Sequence, residues 1–131
     1  MTRNAILALR GRELDAAVAE QVFGLTLTSG YGGPRSGYEC APLNYPGQIA
    51  PLREYSTDAD DCRLMEIKVG LLGLRAHYVK QLWGIMGGNV RDDDAYFRPV
   101  EVWDFMTTPT ETRCFAALLA VMETEEAETS C

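Results

Sequence analysis

The sequence is poor in the residues from which most metal and redox sites are built. Its 131 residues include one histidine, His77, and four widely separated cysteines, Cys40, Cys62, Cys114 and Cys131. Because no Cys-x-x-Cys pair exists, a zinc site of the common spacing is not expected. Cysteines this sparse fit a reducing compartment, in which we expect Cys62 and Cys114 to be small core residues on helices.

Long apolar runs are also missing, and acidic residues outnumber basic residues by 19 to 12. No run approaches the roughly 20 apolar residues that span a bilayer, and Ala5–Leu9 is too short for the apolar part of a signal peptide. The formal net charge is -7. Since affinity for phosphate backbones and anionic membranes depends largely on Lys and Arg, we expect neither duplex nucleic acid nor a membrane as partner. A basic protein surface fits this charge better.

The motifs of common hydrolases and nucleotide enzymes are not found. The sequence has no Gly-x-Ser-x-Gly elbow, no lysine-bearing phosphate loop and no Gly-x-Gly-x-x-Gly after a strand. Asp92–Asp94 lacks the glycine and distal glutamate of a calcium loop, so we predict no metal and no cofactor. These absences favour a non-enzymatic protein. A metal-dependent nucleotide hydrolase using Asp92–Asp94 or Asp58–Asp61 is the enzymatic alternative.

The apolar pattern predicts one α+β domain over residues 1–131. Helical spacing and capping signals predict three main helices: Arg12–Phe23 ended by Gly24, a second capped by Ser56 or Thr57 and ended by Gly70 or Gly73, and a third capped by Thr108. Thr2 is predicted to cap a short opening turn. On the second main helix, Cys62, Met65 and Val69 are expected to share one face, with Leu64 and Ile67 nearby. Alternation predicts strands over Leu25–Thr28, Ala76–Ile85 and Tyr96–Phe105. This order indicates a small antiparallel sheet covered by helices, an α/β/α sandwich-like arrangement.

Two segments have no periodicity. Residues 29–53 are rich in glycine and proline with interleaved tyrosines, and we predict a long ordered loop on the surface there. The tail over residues 123–131 is acidic and is expected to fray.

The glycine-rich loop is the best local candidate for a ligand site. Its glycines would let backbone amides approach a phosphate, which Arg35 could bind through two hydrogen bonds. Tyr31 and Tyr38 could stack on a base. A plain solvent-exposed loop is the simpler interpretation of the same composition.

Aromatic residues on the predicted strands form a second candidate. Trp83 and Trp103, with Arg98 nearby, are expected in the core, but a sheet face left uncovered would make them a ligand wall or a dimer interface. Tyr55 opens the block Tyr55-Ser56-Thr57-Asp58, which a helix cap with an anchoring tyrosine explains fully. The alternative places a ligand anion at this helix N-terminus, against which the nearby aspartates argue. The predicted ligand-binding residues are Tyr31, Arg35, Tyr38, Tyr55, Trp83, Arg98 and Trp103.

Three blocks of the sequence carry a family resemblance. They are Gly11-Arg12-Glu13-Leu14-Asp15 with its continuation to Gly24, Tyr55-Ser56-Thr57-Asp58, and Arg113–Val121. Together they resemble the phage ABA-sandwich domain family, small phage-encoded proteins in which a sheet lies between helical layers. The chain departs from the family at Asp60–Leu64, where an alanine-rich segment with a tryptophan is usual, and at Phe115, where arginine is usual. The resemblance implies a fold and a setting in the host bacterial cytoplasm, and it implies no activity.

These observations lead to two functional hypotheses. The first is a phage accessory protein that binds and sequesters a small nucleotide-like signal of host defence without catalysis. A homo-oligomer with pockets at its subunit interfaces is compatible with this function. The alternative is an acidic inhibitor or assembly factor that binds a host or phage protein through Ser29–Arg53 and the acidic tail.

Overall fold

The computed structural model describes residues 2–28, 39–41, 50–86 and 106–129. The helices are α1 (Arg3–Leu7), α2 (Gly11–Gln21), α3 (Ala59–Leu71), α4 (Arg75–Ile85) and α5 (Thr110–Thr129). The strands are β1 (Thr26–Thr28), β2 (Glu39–Ala41) and β3 (Ala50–Pro51). None of the helices in these ranges has the length and apolarity that a membrane crossing requires.

The predicted α+β sandwich is wrong, because the described chain is mostly helical. The three strands have only two or three residues each and pair in the antiparallel order β1-β2-β3, with Thr26 opposite Ala41 and Cys40 opposite Ala50. Strands this short provide no layer for helices to cover. β2 and β3 also lie inside the segment that we predicted to be a loop.

The largest local difference is α4, which we predicted to be the strand Ala76–Ile85. Tyr78 and Leu82 are buried four residues apart, and Val79 and Ile85 pack partly buried against the same core. In a short segment, the same apolar residues can fit the spacing of a helix and that of a strand, so the sequence alone is compatible with both. In the structure, this segment packs against the core as a helix. The other predicted strand, Tyr96–Phe105, lies outside the described residues.

Several helix ends agree with the sequence. Thr2 Oγ1 accepts a hydrogen bond from Ala5 N at 3.2 Å and caps α1. α2 confirms the first predicted main helix. Gly24 and Gly73 have φ values of 67° and 75°, the left-handed conformation that lets the chain turn after α2 and α3.

Two caps differ from the prediction. The cap of α3 is Asp58, whose Oδ1 accepts hydrogen bonds from Asp60 N at 2.8 Å and Asp61 N at 3.0 Å. Ser56 is buried instead. α5 begins at Thr110, with Pro109 O accepting from Arg113 N, so its start lies beyond the predicted cap Thr108.

α5 is the central helix of the core. Every residue from Cys114 to Val121 is buried, and the helix contacts α1, α2, α3 and α4. A helix that is buried on all sides is the expected centre of a helical domain. The buried, free thiols of Cys62 and Cys114 confirm the prediction that both are core residues. Residues up to Thr129 are helical, so α5 includes most of the predicted acidic tail.

Candidate functional site

Most residues of the predicted nucleotide site cannot be compared with the structure. Five of them lie outside the described residues: Tyr31, Arg35, Tyr38, Arg98 and Trp103. Of the remaining two, Trp83 lies on α4 and is partly buried. Tyr55 is only 2% exposed, and its ring stacks on Phe23 with 5.2 Å between centroids. Burial of this kind fits an anchoring role for Tyr55 better than contact with a ligand.

The first two sequence blocks that carry the family resemblance meet at the buried carboxylate of Asp15. Its Oδ1 accepts a hydrogen bond from Ser56 N at 2.8 Å, and its Oδ2 accepts one from Arg12 Nη1 at 3.0 Å. Arg12 also donates to Leu52 O at 2.7 Å. A carboxylate that is 1% exposed is tolerated because both of its oxygens have a partner. These bonds join α2 to the segment that precedes α3.

The same network continues to α5. Thr110 Oγ1 donates to Ser56 O at 2.6 Å, and Ser56 Oγ donates to Gly11 O at 3.4 Å. The arrangement explains why polar residues occur at these positions, since each forms a hydrogen bond with a polar group of another part of the chain. We therefore assign this network to the stability of the fold.

A second polar cluster lies between α3, α4 and α5. Glu66 Oε2 accepts hydrogen bonds from Tyr78 OH at 2.7 Å and from Arg113 Nη1 at 2.9 Å. Burial raises the pKa of Tyr78 above its usual value, and the carboxylate of Glu66 raises it further. Arg113 Nε donates to Thr108 O at 3.1 Å. The carboxylate is held by two donors, which again indicates a structural role.

Cys62 and Cys114 lie beside this cluster, and Cys62 Sγ donates a hydrogen bond to Thr110 O at 3.9 Å. Interaction with the Cys62 thiol, together with burial, raises the pKa of the Cys114 thiol, and the same interaction lowers the pKa of Cys62. The two residues are 2% and 0% exposed. Both thiols are shielded from solvent and therefore react slowly with soluble electrophiles, so this pair is not a good candidate for a nucleophile.

The surface of α3 provides a candidate interaction site. Cys62, Met65 and Val69 are buried on one side of the helix, at positions i, i+3 and i+7. Leu64, Ile67 and Leu71 repeat the same spacing two residues later and therefore lie on the opposite side, where they are 40%, 52% and 78% exposed. Together with Leu72, which is also exposed, they form what we call the α3 face.

The sequence held a signal for the α3 face that we misread. We placed Leu64 and Ile67 near the predicted core side of the helix, although the core side was already complete with Cys62, Met65 and Val69. Two apolar sets with one spacing, offset by two residues, indicate a helix with two apolar sides. This pattern is typical of a fully buried helix or of one that packs against a partner.

A groove borders the α3 face. It has a volume of about 390 Å³ and lies between the ends of α2 and α3 and the side of α5, where Phe23, Lys68, Leu72, Leu74 and Val121 line it. A smaller cavity of about 160 Å³ adjoins it under α1. Since Leu72 belongs to both the groove and the α3 face, the two form one continuous surface.

Glu123 links α4 to α5 at another part of the surface. It accepts hydrogen bonds from Gln81 Nε2 at 2.9 Å and Lys80 Nζ at 3.1 Å, and His77 Nδ1 lies 3.4 Å away. The hydrogen bond from Gln81 lowers the pKa of Glu123, and those from Lys80 and His77 lower it further, against the opposite effect of burial.

This shift predicts a pH-dependent stability. Because the pKa of Glu123 is lower in the folded protein, its stabilisation is present above the unfolded pKa, about 4.3, and is lost as the pH falls through the folded pKa. We expect Glu123→Gln to reduce stability by about 0.5 to 1 kcal/mol at pH 7 and to have a smaller effect at pH 3. Melting temperatures of both proteins across this range test it, with exposed Glu20→Gln as control. A difference that stays constant with pH would contradict the assignment.

Among the described residues, no group of three or more His, Cys, Asp or Glu side chains is placed to hold a metal ion. No protein-family model matches the chain, and neither a curated protein nor a solved structure is similar to it.

Proposed function

We propose that this protein acts without catalysis, by binding another protein through the α3 face. The observation that carries the proposal is the exposure of a contiguous apolar set, with Leu71 at 78% as its most exposed member. Exposed apolar clusters of this kind mark interaction sites on soluble proteins, because water contact with them is unfavourable.

The size and shape of the surface suit a helical or extended segment of a partner. Burying one leucine or isoleucine side chain contributes about 1.5 to 3 kcal/mol. Anchors at i, i+3 and i+7 are the pattern by which one helix packs against another. The adjoining groove of about 390 Å³ offers space for a side chain of the bound segment.

The biological setting of this activity rests on the family resemblance alone. We retain a phage accessory role in the host bacterial cytoplasm as a proposal. Protein binding was our alternative hypothesis, and the proposal assigns it to the α3 face, which we did not identify from the sequence. The proposal places the contacts on α3, and Ser29–Arg53 and the acidic tail are not needed for it.

The second candidate function is sequestration of a small nucleotide-like ligand. The groove supports it, because about 390 Å³ lies within the range of small-molecule sites and Lys68 at its edge could bind an anion. A pocket at the interface of a homo-oligomer is compatible with it. None of the described residues that line the groove is among the predicted ligand-binding residues.

Charged substitutions on the α3 face test the first proposal. We expect Leu71→Glu to weaken binding of a captured protein at least tenfold, because a buried carboxylate would replace an apolar anchor. The matched control is Met106→Glu, since Met106 is 70% exposed and lies outside the face. Proteins captured from a bacterial lysate by the three purified forms would be quantified by mass spectrometry.

The pattern of loss decides between the candidates. A protein captured by the original chain and by Met106→Glu, but not by Leu71→Glu, supports binding through α3. An identical set captured by all three forms contradicts it. A nucleotide released on heating from all three forms would favour the small-ligand function instead.

A further inference from the structure

The cations around the α3 face differ from the other basic residues of the described chain. Within the described ranges, Arg63, Lys68 and Arg75 make no hydrogen bond or ion pair through their side chains. The other described basic residues are engaged, in the pairs Arg3–Gln81, Arg10–Glu111, Arg12–Asp15, Arg53–Asp61, Lys80–Glu123 and Arg113–Glu66. The cations without a partner are therefore gathered on α3 and at the first residue of α4.

Two of these cations flank the apolar stripe. At about 100° per residue, Arg63 and Lys68 lie roughly 70° to either side of the centre of the stripe formed by Leu64, Ile67 and Leu71. Arg75 begins α4, three residues after Leu72. The middle and the C-terminal end of the α3 face are thus bordered by positive charge.

Most acidic residues nearby already have partners. Glu125 lines the groove together with Lys68 and has a partner. Asp61 is engaged by Arg53 Nη1 and by Glu54 N, and Glu66 is engaged by Tyr78 and Arg113. Asp60 is exposed on the first turn of α3, close to the stripe but at its N-terminal end. A ligand with negative charge would therefore align with the residues from Arg63 onward.

We propose that the segment bound by the α3 face is an amphipathic helix with acidic residues beside its apolar positions. This inference rests on the proposed protein-binding function and specifies the chemistry of the partner. Apolar anchors would fill the stripe, and carboxylates on their flanks would pair with Arg63 and Lys68. The local charge of the site thus reverses the expectation from the net charge of -7, which favoured a basic partner.

A second copy of the chain fits this face less well. In a two-fold arrangement centred on Ile67, the Lys68 side chains of the two copies would approach each other across the interface. Like charges across an interface oppose association. The face therefore favours a different protein.

A helical peptide library without charge bias tests this inference on the full chain. Amphipathic peptides displayed on a surface would be selected against the protein, and clones that bind it but not Ile67→Glu would be sequenced. We expect these clones to carry Asp or Glu beside their apolar positions. The result is diagnostic, because an overall negative chain would otherwise enrich basic peptides.

Charge reversal provides the matched comparison. Lys68→Glu is expected to weaken the selected acidic peptides at least tenfold at low salt, and the effect should shrink as ionic strength rises. Arg3→Glu changes the net charge equally on α1, away from the face, and is expected to change affinity less than threefold.

Each alternative outcome has a distinct meaning. Clones that depend on Ile67 but are basic or neutral would overturn the acidic-partner inference and leave the protein-binding function in place. An absence of clones that depend on Ile67 would overturn both. A dimer in sedimentation analysis that Ile67→Glu abolishes would show that a second copy occupies the face, and would also overturn the inference.

Discussion

Replacing Asp15 with alanine is expected to lower the free energy of unfolding by roughly 3 to 5 kcal/mol. The substitution leaves the buried Ser56 N without its acceptor and removes the carboxylate that pairs with Arg12. A buried donor without a partner loses its hydrogen bonds to water and forms no hydrogen bond in the protein to replace them. Chemical denaturation followed by circular dichroism measures the loss, which should also lower the melting temperature by roughly 10 to 20 °C.

The control for this substitution is Glu20→Ala on the same helix. Glu20 is exposed near the C-terminal end of α2, where a negative charge is not favoured by the helix dipole. We expect a change within about 0.5 kcal/mol. If Asp15→Ala changes stability as little as Glu20→Ala, the network around Asp15 is not the connection between α2 and α3 that we describe.

Met65→Ala is expected to lower the free energy of unfolding by about 3 kcal/mol. Met65 is fully buried between α3 and the core, so truncation removes apolar contacts and leaves a cavity. Equilibrium denaturation in urea measures the change, and the slope of the transition shows whether unfolding remains a single step.

Ile67→Ala is the matched control, since it lies on the opposite side of the same helix and is 52% exposed. We expect it to change stability by less than about 0.5 kcal/mol. If it is as damaging as Met65→Ala, another part of the molecule covers the α3 face and the protein-binding proposal loses its basis. This pair of variants therefore separates the residues that α3 contributes to folding from those it offers to a partner.

The local signals in the sequence predicted the helix ends better than the fold class. Thr2 and Gly24 were assigned correctly, because a cap or a left-handed glycine depends on the few residues around it. Of the two glycines predicted to end α3, Gly73 has the left-handed conformation and Gly70 lies inside the helix. The strand predicted over Ala76–Ile85 is wrong, because the apolar residues of so short a segment fit the period of a helix as well as that of a strand. The sandwich failed with it, since a sheet between helical layers needed that strand.

The candidate site was less accessible from the sequence. Tyr55 was included as a ligand residue and is buried on Phe23. Leu64 and Ile67 were read as neighbours of the core and are exposed. Burial is a property of the assembled chain, and a residue on a helix with two apolar sides gives no local sign of which side the other helices will cover.

The sequence by itself determined α2, the short α1 with its cap, the turn at Gly24, and the core positions of Cys62 and Cys114. These features depend on residues within one or two helical turns. Only the tertiary structure decided that residues 75–85 form a helix, that Asp15 is joined to Ser56 across 41 positions of the chain, and that one apolar side of α3 stays exposed. Each of these depends on which distant elements pack together, and local spacing does not contain that information.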